Sequence, residues 1–151
     1  MKHAPILLPC LACCLLALTG CFHKDSSYEP GQDEIVSRLT GTEWVREYDL
    51  TSPDATVREA WTLHGDGSGT RTIATHYADG KSEEETTYFA WLFTSVNYNV
   101  VYMNYPRYWL ILELTRDRLR VQQSSKDPDR LMSNDPRIEK VFAASTDDDG
   151  E

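Results

Sequence analysis

Between Trp44 and Phe142 the chain alternates apolar and polar residues in short runs, and each run stops at a cluster of Gly, Asp or Pro. A period of two belongs to extended strands with one buried face; an amphipathic helix would need a period near 3.6. Phe89, Trp91 and Phe93 stand two apart, and so do Trp61 and Leu63. His64-Gly65-Asp66-Gly67-Ser68-Gly69 and Ala78-Asp79-Gly80-Lys81 read as hairpin turns, because glycine supplies the positive φ that tight turns need. The pattern predicts strands at 42–50, 57–63, 70–77, 86–93, 97–105, 107–114, 119–124 and 137–143. One short helix is expected at 33–39, acidic at its start and closed by Gly41. Eight short strands joined mostly by hairpins point to an all-β fold, a single up-and-down antiparallel barrel. Closure removes the exposed strand edges. A β-sandwich is the alternative that periodicity leaves open.

The start of the chain has a different character. Lys2 and His3 precede a run over 4–18 that is apolar almost throughout and contains Pro5 and Pro9. That is the length of a signal-peptide core and short of the ~20 residues a permanent spanning helix needs. Leu18-Thr19-Gly20-Cys21 closes the run and resembles the lipobox of bacterial lipoproteins. The resemblance implies cleavage before Cys21 and acylation of its thiol, so the expected partner of this end is a membrane, held through acyl chains. All four cysteines lie at or before Cys21, so the mature domain is expected to have neither a disulfide nor a cysteine metal site. The expected organisation is a cleaved signal at 1–20, a lipidated tether at 21–32, the barrel domain at 33–144, and an acidic tail at 145–151. Phe22 stands where an inner-membrane retention aspartate would be, and Phe22-His23-Lys24-Asp25 is similar to surface-export signals of Bacteroidetes lipoproteins. The expected location is therefore the cell envelope, at the outer membrane, with surface exposure as a variant. The net charge of −9 argues against nucleic acid as a partner.

Several pieces of the domain also resemble the small lipocalin-like lipoproteins common in Bacteroidetes. Leu39-Thr40-Gly41-Thr42-Glu43-Trp44 is similar to the helix and Gly-to-Trp step that open such domains, one residue longer than the usual spacing. Leu63-His64-Gly65-Asp66-Gly67-Ser68-Gly69-Thr70 resembles their Asp-Gly turn. Phe89-Ala90-Trp91 resembles their mid-domain aromatic strand, Trp109–Thr115 with Leu119 and Val121 their strand–turn–strand unit, and Val141-Phe142 their closing strand. The resemblance covers most of 39–143 and implies a lipocalin-like barrel, with no ligand attached to it.

Residues that carry chemistry are sparse. His64 and His76 sit near hairpin ends, where solvated polar groups are ordinary, and Glu83-Glu84-Glu85 reads as a solvated charge run. No metal, cofactor or catalytic residue is expected, and the chain is read as non-enzymatic. Glu59 shares the parity of Val57, Trp61 and Leu63, so it faces inward near a barrel rim, where its carboxylate either meets a ligand or reaches water. Tyr98, Tyr102, Tyr105, Tyr108 and Trp109 crowd one hairpin. Such rings suit sugar stacking or a partner surface, and they also stiffen a hairpin by pairing across strands. The expected function is a lipid-anchored binding or interaction module of the cell envelope, its partner a small molecule, a glycan or a protein. The alternatives are a carbohydrate-binding accessory lipoprotein using the tyrosine-rich hairpin, and a protein-partner or inhibitor module.

Overall fold

The computed structural model describes residues 31–104 and 107–145. Cys21, the signal segment, nearly all of the tether, Tyr105 and the acidic tail beyond Ser145 lie outside the described residues.

Eight antiparallel strands pair in chain order: β1 Glu43–Thr51, β2 Asp54–Leu63, β3 Ser68–Tyr77, β4 Ser82–Phe93, β5 Val100–Met103, β6 Arg107–Leu114, β7 Arg118–Ser124 and β8 Ile138–Ala144. β8 returns to β1, so the sheet closes into a barrel. The fold is the expected all-β barrel with one short helix, and closure decides against the sandwich. Side chains facing inward from every strand but β3 form one core that includes Trp44, Trp61, Leu63, Phe89, Trp91, Val101, Met103, Trp109, Leu119, Val121 and Phe142. The rings lock together: Trp61 lies 4.6 Å from Trp109 and 5.5 Å from Phe89, and Trp109 lies 5.4 Å from Phe142. This aromatic mass packs the middle of the barrel.

One end is closed by helix α1, Gln32–Thr40. Asp33 and Glu34 occupy its first turn and Arg38 its last, the arrangement the helix dipole favours. The Gly41 N–H donates to the Ser37 carbonyl at 2.9 Å, and a Cβ at Gly41 would stand 2.8 Å from that oxygen, so the helix must end on glycine. Leu39 plugs the barrel end, and the Trp44 indole donates to its carbonyl at 3.1 Å. Gly69 works similarly at the β2–β3 end: a Cβ there would meet the Phe89 ring at 2.5 Å, so the ring lies flat over bare backbone.

Several strand boundaries differ from the alternation-based expectation, most of all those of β4 and β5, and β6 is irregular within its expected bounds. β4 begins at Ser82 instead of 86 because Glu83, Glu84 and Glu85 pair with Thr75, Ala74 and Ile73 of β3. Both faces of that stretch carry polar groups, so alternation does not mark it. β5 is Val100–Met103 instead of 97–105. Ser95 Oγ accepts from the Asn99 and Val100 amides and holds the preceding residues as a loop. β6 has a bulge between Ile111 and Glu113, which moves the inward parity from Trp109 and Ile111 to Leu114 and leaves Leu112 exposed.

The seam between β1 and β8 is short. Only Trp44–Ala144 and Val45–Ala143 pair across it. Among the described residues, the edge of β1 beyond Arg46 and the facing edge of β8 have no ladder partner, on the side of the barrel away from α1.

Candidate functional site

A charged layer lies on the aromatic core, at the end opposite α1. Its centre is Glu59 on β2, whose surface is wholly buried. The position follows from register: Glu59 pairs with Arg46 of β1 and Ile73 of β3 and faces inward one step beyond Trp61. Arg46 stands two residues from Trp44, Arg71 two residues from Gly69, and Lys140 two residues from Phe142, so all three also point inward.

The carboxylate is saturated. Oε1 accepts from Trp61 Nε1 at 3.0 Å, Arg71 Nε at 2.9 Å and Lys140 Nζ at 3.1 Å. Oε2 accepts from Arg46 Nε at 2.5 Å and Lys140 Nζ at 3.3 Å. Aromatic faces complete the surroundings. The Arg46 guanidinium lies 4.6 Å from the Tyr48 ring centre, and Arg71 lies 5.2 Å from that of Trp61. Burial alone would push the Glu59 carboxyl up; the Lys140 and Arg46 charges and the Arg46 hydrogen bond outweigh it and hold its pKa at about 2. Lys140 is pushed down by burial, helped by repulsion from Arg46 and Arg71 and partly offset by Glu59.

Three cations therefore surround one carboxylate. They are not equally hidden: the side chains of Arg46, Arg71 and Lys140 keep 24 %, 17 % and 8 % of their surface exposed, while Glu59 keeps none. Arg46 is the outermost. It lines a groove of about 740 Å³ across the paired end of the seam, with Val45, Ala143 and Ala144 and the charged Glu47, Arg58, Asp117 and Arg118 among its walls. Further along β3 and β4, Ile73, Thr75, Glu83, Glu84 and Glu85 line a hollow of about 350 Å³. The barrel is thus a shallow cup, with a cationic floor, an apolar plug beneath it and acidic side chains on one wall.

The structure places the sequence-derived candidates in different environments. Glu59 faces inward as expected, but it is neither at the rim nor in reach of water. β2 runs on to Asp54 beyond it, and the three cations supply the compensation that allows its burial. Trp109 belongs to the core and is fully buried, with its indole donating to Gln123 Oε1 at 3.2 Å, so it offers no surface. Tyr102 and Tyr108 do meet, as cross-strand partners with ring centres 5.0 Å apart on the outer face. Leu92 extends that row onto β4. Tyr98 sits in the β4–β5 loop with φ 54° and packs 4.7 Å from Phe93, away from that pair. Tyr105 lies outside the described residues. Glu83–Glu85 lie within β4 and are exposed, while His64 and His76 are exposed near the ends of their hairpins.

Arg46, Arg71 and Lys140 were missed by the reading of inward positions as apolar. The available signal was a charged residue two places from a large aromatic on three strands: Trp44-x-Arg46, Glu59-x-Trp61 and Lys140-x-Phe142. No protein-family model, curated protein or solved structure matches the chain.

Proposed function

We propose that this protein is a lipid-anchored, non-enzymatic binding module of the bacterial cell envelope, held at the outer membrane through Cys21, and that it takes a small ligand at the barrel end opposite α1. The observation that carries the reading is the layer of Glu59, Arg46, Arg71 and Lys140. Charges are costly to withdraw from water, and a barrel of this size is filled adequately by apolar side chains. A half-open charged floor therefore supports recognition more than packing. The lipobox-like Leu18-Thr19-Gly20-Cys21 supports the anchor, and the resemblance to lipocalin-like lipoproteins supports a binding role without specifying a ligand. The layer has carboxylate, ammonium and guanidinium groups locked on one another, an arrangement suited to holding a ligand by polar contacts.

A second reading has its own support. Leu92, Tyr102 and Tyr108 form a row across the outer faces of β4, β5 and β6, with Leu92 exposed. Aromatic and aliphatic groups in such a row suit a glycan or a protein partner.

Native mass spectrometry of the full chain, purified from envelopes in detergent, separates the two. The main reading expects a copurifying small molecule that is lost in Ile73→Trp, which crowds the cup, and kept in Tyr102→Ala/Tyr108→Ala. Retention in the first variant and loss in the second would transfer the site to the outer row.

A further inference from the structure

Resting on acylation at Cys21, we infer that the β4–β5 loop, 94–99, is a membrane-docking element: it seats Val96 in the surface of a zwitterionic phospholipid bilayer and leaves the opposite, charged end of the barrel facing water. The composition of the loop is the first argument. The Tyr98 N–H donates to the Ser95 carbonyl at 3.2 Å, so Val96 and Asn97 form the apex of a tight turn. Turn apices ordinarily carry Gly, Asn, Asp, Ser or Pro. Here a β-branched apolar side chain stands at the apex, outside the core, with 84 % of its surface exposed. Leu92, two residues before the loop, is exposed as well. The loop is braced in this shape, since the Thr94 N–H donates to the Val100 carbonyl and Ser95 Oγ accepts from the Asn99 and Val100 amides.

Position is the second argument. β4 ends and β5 begins at the end of the barrel that α1 closes. The Gln32 side-chain amide donates to the Val96 carbonyl at 3.1 Å, so the loop apex is bonded to the first residue of α1. Ten residues, 21–30, lead from the acylation site to this point. Ten residues span at most ~35 Å. An acylated Cys21 therefore brings a bilayer within that distance of Val96 before the loop contributes anything. A contact too slight to recruit a free protein is then enough to orient a tethered one. Beside the apex, Gln32, Phe93, Ser95 and Tyr98 line a hollow of about 400 Å³. The Tyr98 ring, packed 4.7 Å from Phe93, is of the amphipathic kind that gathers at membrane interfaces.

Charge selects the lipid. The loop, Thr94-Ser95-Val96-Asn97-Tyr98-Asn99, has no Asp, Glu, Lys, Arg or His. The other turns at this end carry Asp66 and Arg116-Asp117, which would have to be stripped of water to enter a bilayer. The 94–99 loop meets no such cost. It also lacks the lysines and arginines that bind anionic headgroups, and Asp33 and Glu34, exposed in the turn that follows Gln32, repel them. A zwitterionic surface satisfies both conditions.

Nitroxide labels on the full acylated chain, reconstituted in phosphatidylcholine vesicles, test this. With Cys21 acylated and Cys10, Cys13 and Cys14 cleaved away, an introduced cysteine is the one free thiol. At Asn97→Cys, power saturation should show collision with dissolved oxygen severalfold above collision with a water-soluble nickel complex. Arg116→Cys at the same end and Asp79→Cys at the β3–β4 turn should show the reverse. Adding Val96→Asp should return the Asn97→Cys label to water, with near-UV circular dichroism checking the fold. If that variant fails to fold, Val96→Ser must do the same. Immersion should withstand 0.5 M sodium chloride and should not require phosphatidylglycerol. An Asn97→Cys label that stays in water, or one still immersed beside Val96→Asp, would overturn the docking role while leaving the anchor in place. Immersion only with phosphatidylglycerol would overturn the zwitterionic surface, and dipolar broadening between Asn97→Cys labels in detergent would assign the loop to a second copy. A purified chain whose mass lacks acyl groups would remove the anchor reading, and the inference with it.

Discussion

At the scale of single residues, Glu59 is the position on which most depends. Its neighbours are cations drawn into the barrel, and removing the carboxylate leaves them facing one another. Glu59→Gln is expected to destabilise the barrel by about 3–5 kcal/mol, the range for breaking a buried charge pair from one side. Lys140→Met should cost less, because Arg46 and Arg71 still hold the carboxylate and burial already disfavours the ammonium. Urea denaturation of the two variants checks the order. The same site sets a pH dependence. The Glu59 pKa is lowered in the fold from 4.5 to about 2. A carboxyl depressed by folding contributes its stability above its unfolded value and loses it as protons are added. The contribution, roughly 3 kcal/mol, should be complete above pH 5 and disappear as pH falls from about 4.5 toward 2. In Glu59→Gln the acid-induced loss over that window should shrink by a comparable amount. Trp44 is the other decisive residue. It is fully buried and its indole ties the core to the last turn of α1, so Trp44→Ala should cost about 3–5 kcal/mol. A loss below about 1 kcal/mol would contradict its place in the core.

At the scale of elements, the barrel is legible in the chain wherever one face of a strand is apolar. β2, with Val57, Trp61 and Leu63 inward, and the second half of β4, with Phe89, Trp91 and Phe93, are written as plain alternation. The first half of β4 is not, since Glu83–Glu85 lie on a two-sided polar hairpin held by backbone pairing and by exposed side-chain bonds such as Tyr77 to Glu83. The β6 bulge is hidden for a different reason: Ile111-Leu112-Glu113-Leu114 reads equally well in either register, and only closure against Leu119 and Val121 selects one. The charged layer was half legible. Glu59 stood out because its strand is otherwise apolar inward, whereas Arg46 and Lys140 looked like ordinary outward positions until the register placed them. The seam gives an element-scale prediction. With two residue pairs joining β1 to β8 among the described residues, alternate amides of Arg46–Thr51 point away from β2 without a ladder partner there. Those amides, and their counterparts on Ile138–Val141 that point away from β7, should exchange with deuterium well before the amides shared by β2 and β3. Equal protection across the seam would mean that β1 and β8 pair along their full length in solution.

At the scale of the whole molecule, the proposed protein is a tethered cup: lipid at Cys21, a polar linker, then a barrel closed by α1 and charged at its far end. The anchor has its own check. Cys21→Ser should release the chain from the membrane fraction and abolish incorporation of labelled fatty acid, because the thiol is the expected acylation site. Label entering the variant would contradict lipidation there. The central claim is that a ligand settles on the charged layer, and the tryptophans report on it directly. The Trp61 indole N–H donates to Glu59, whereas the Trp44 indole bonds the Leu39 carbonyl beside α1 and the Trp91 indole bonds the His64 and Ser68 carbonyls. In ¹H–¹⁵N spectra of the full chain in detergent micelles, a small-molecule extract of the cell envelope should move the Trp61 indole resonance and leave those of Trp44 and Trp91 in place. A Trp61 resonance unmoved while the Tyr102 and Tyr108 amides shift would contradict the account and put the binding face on the outside of the barrel.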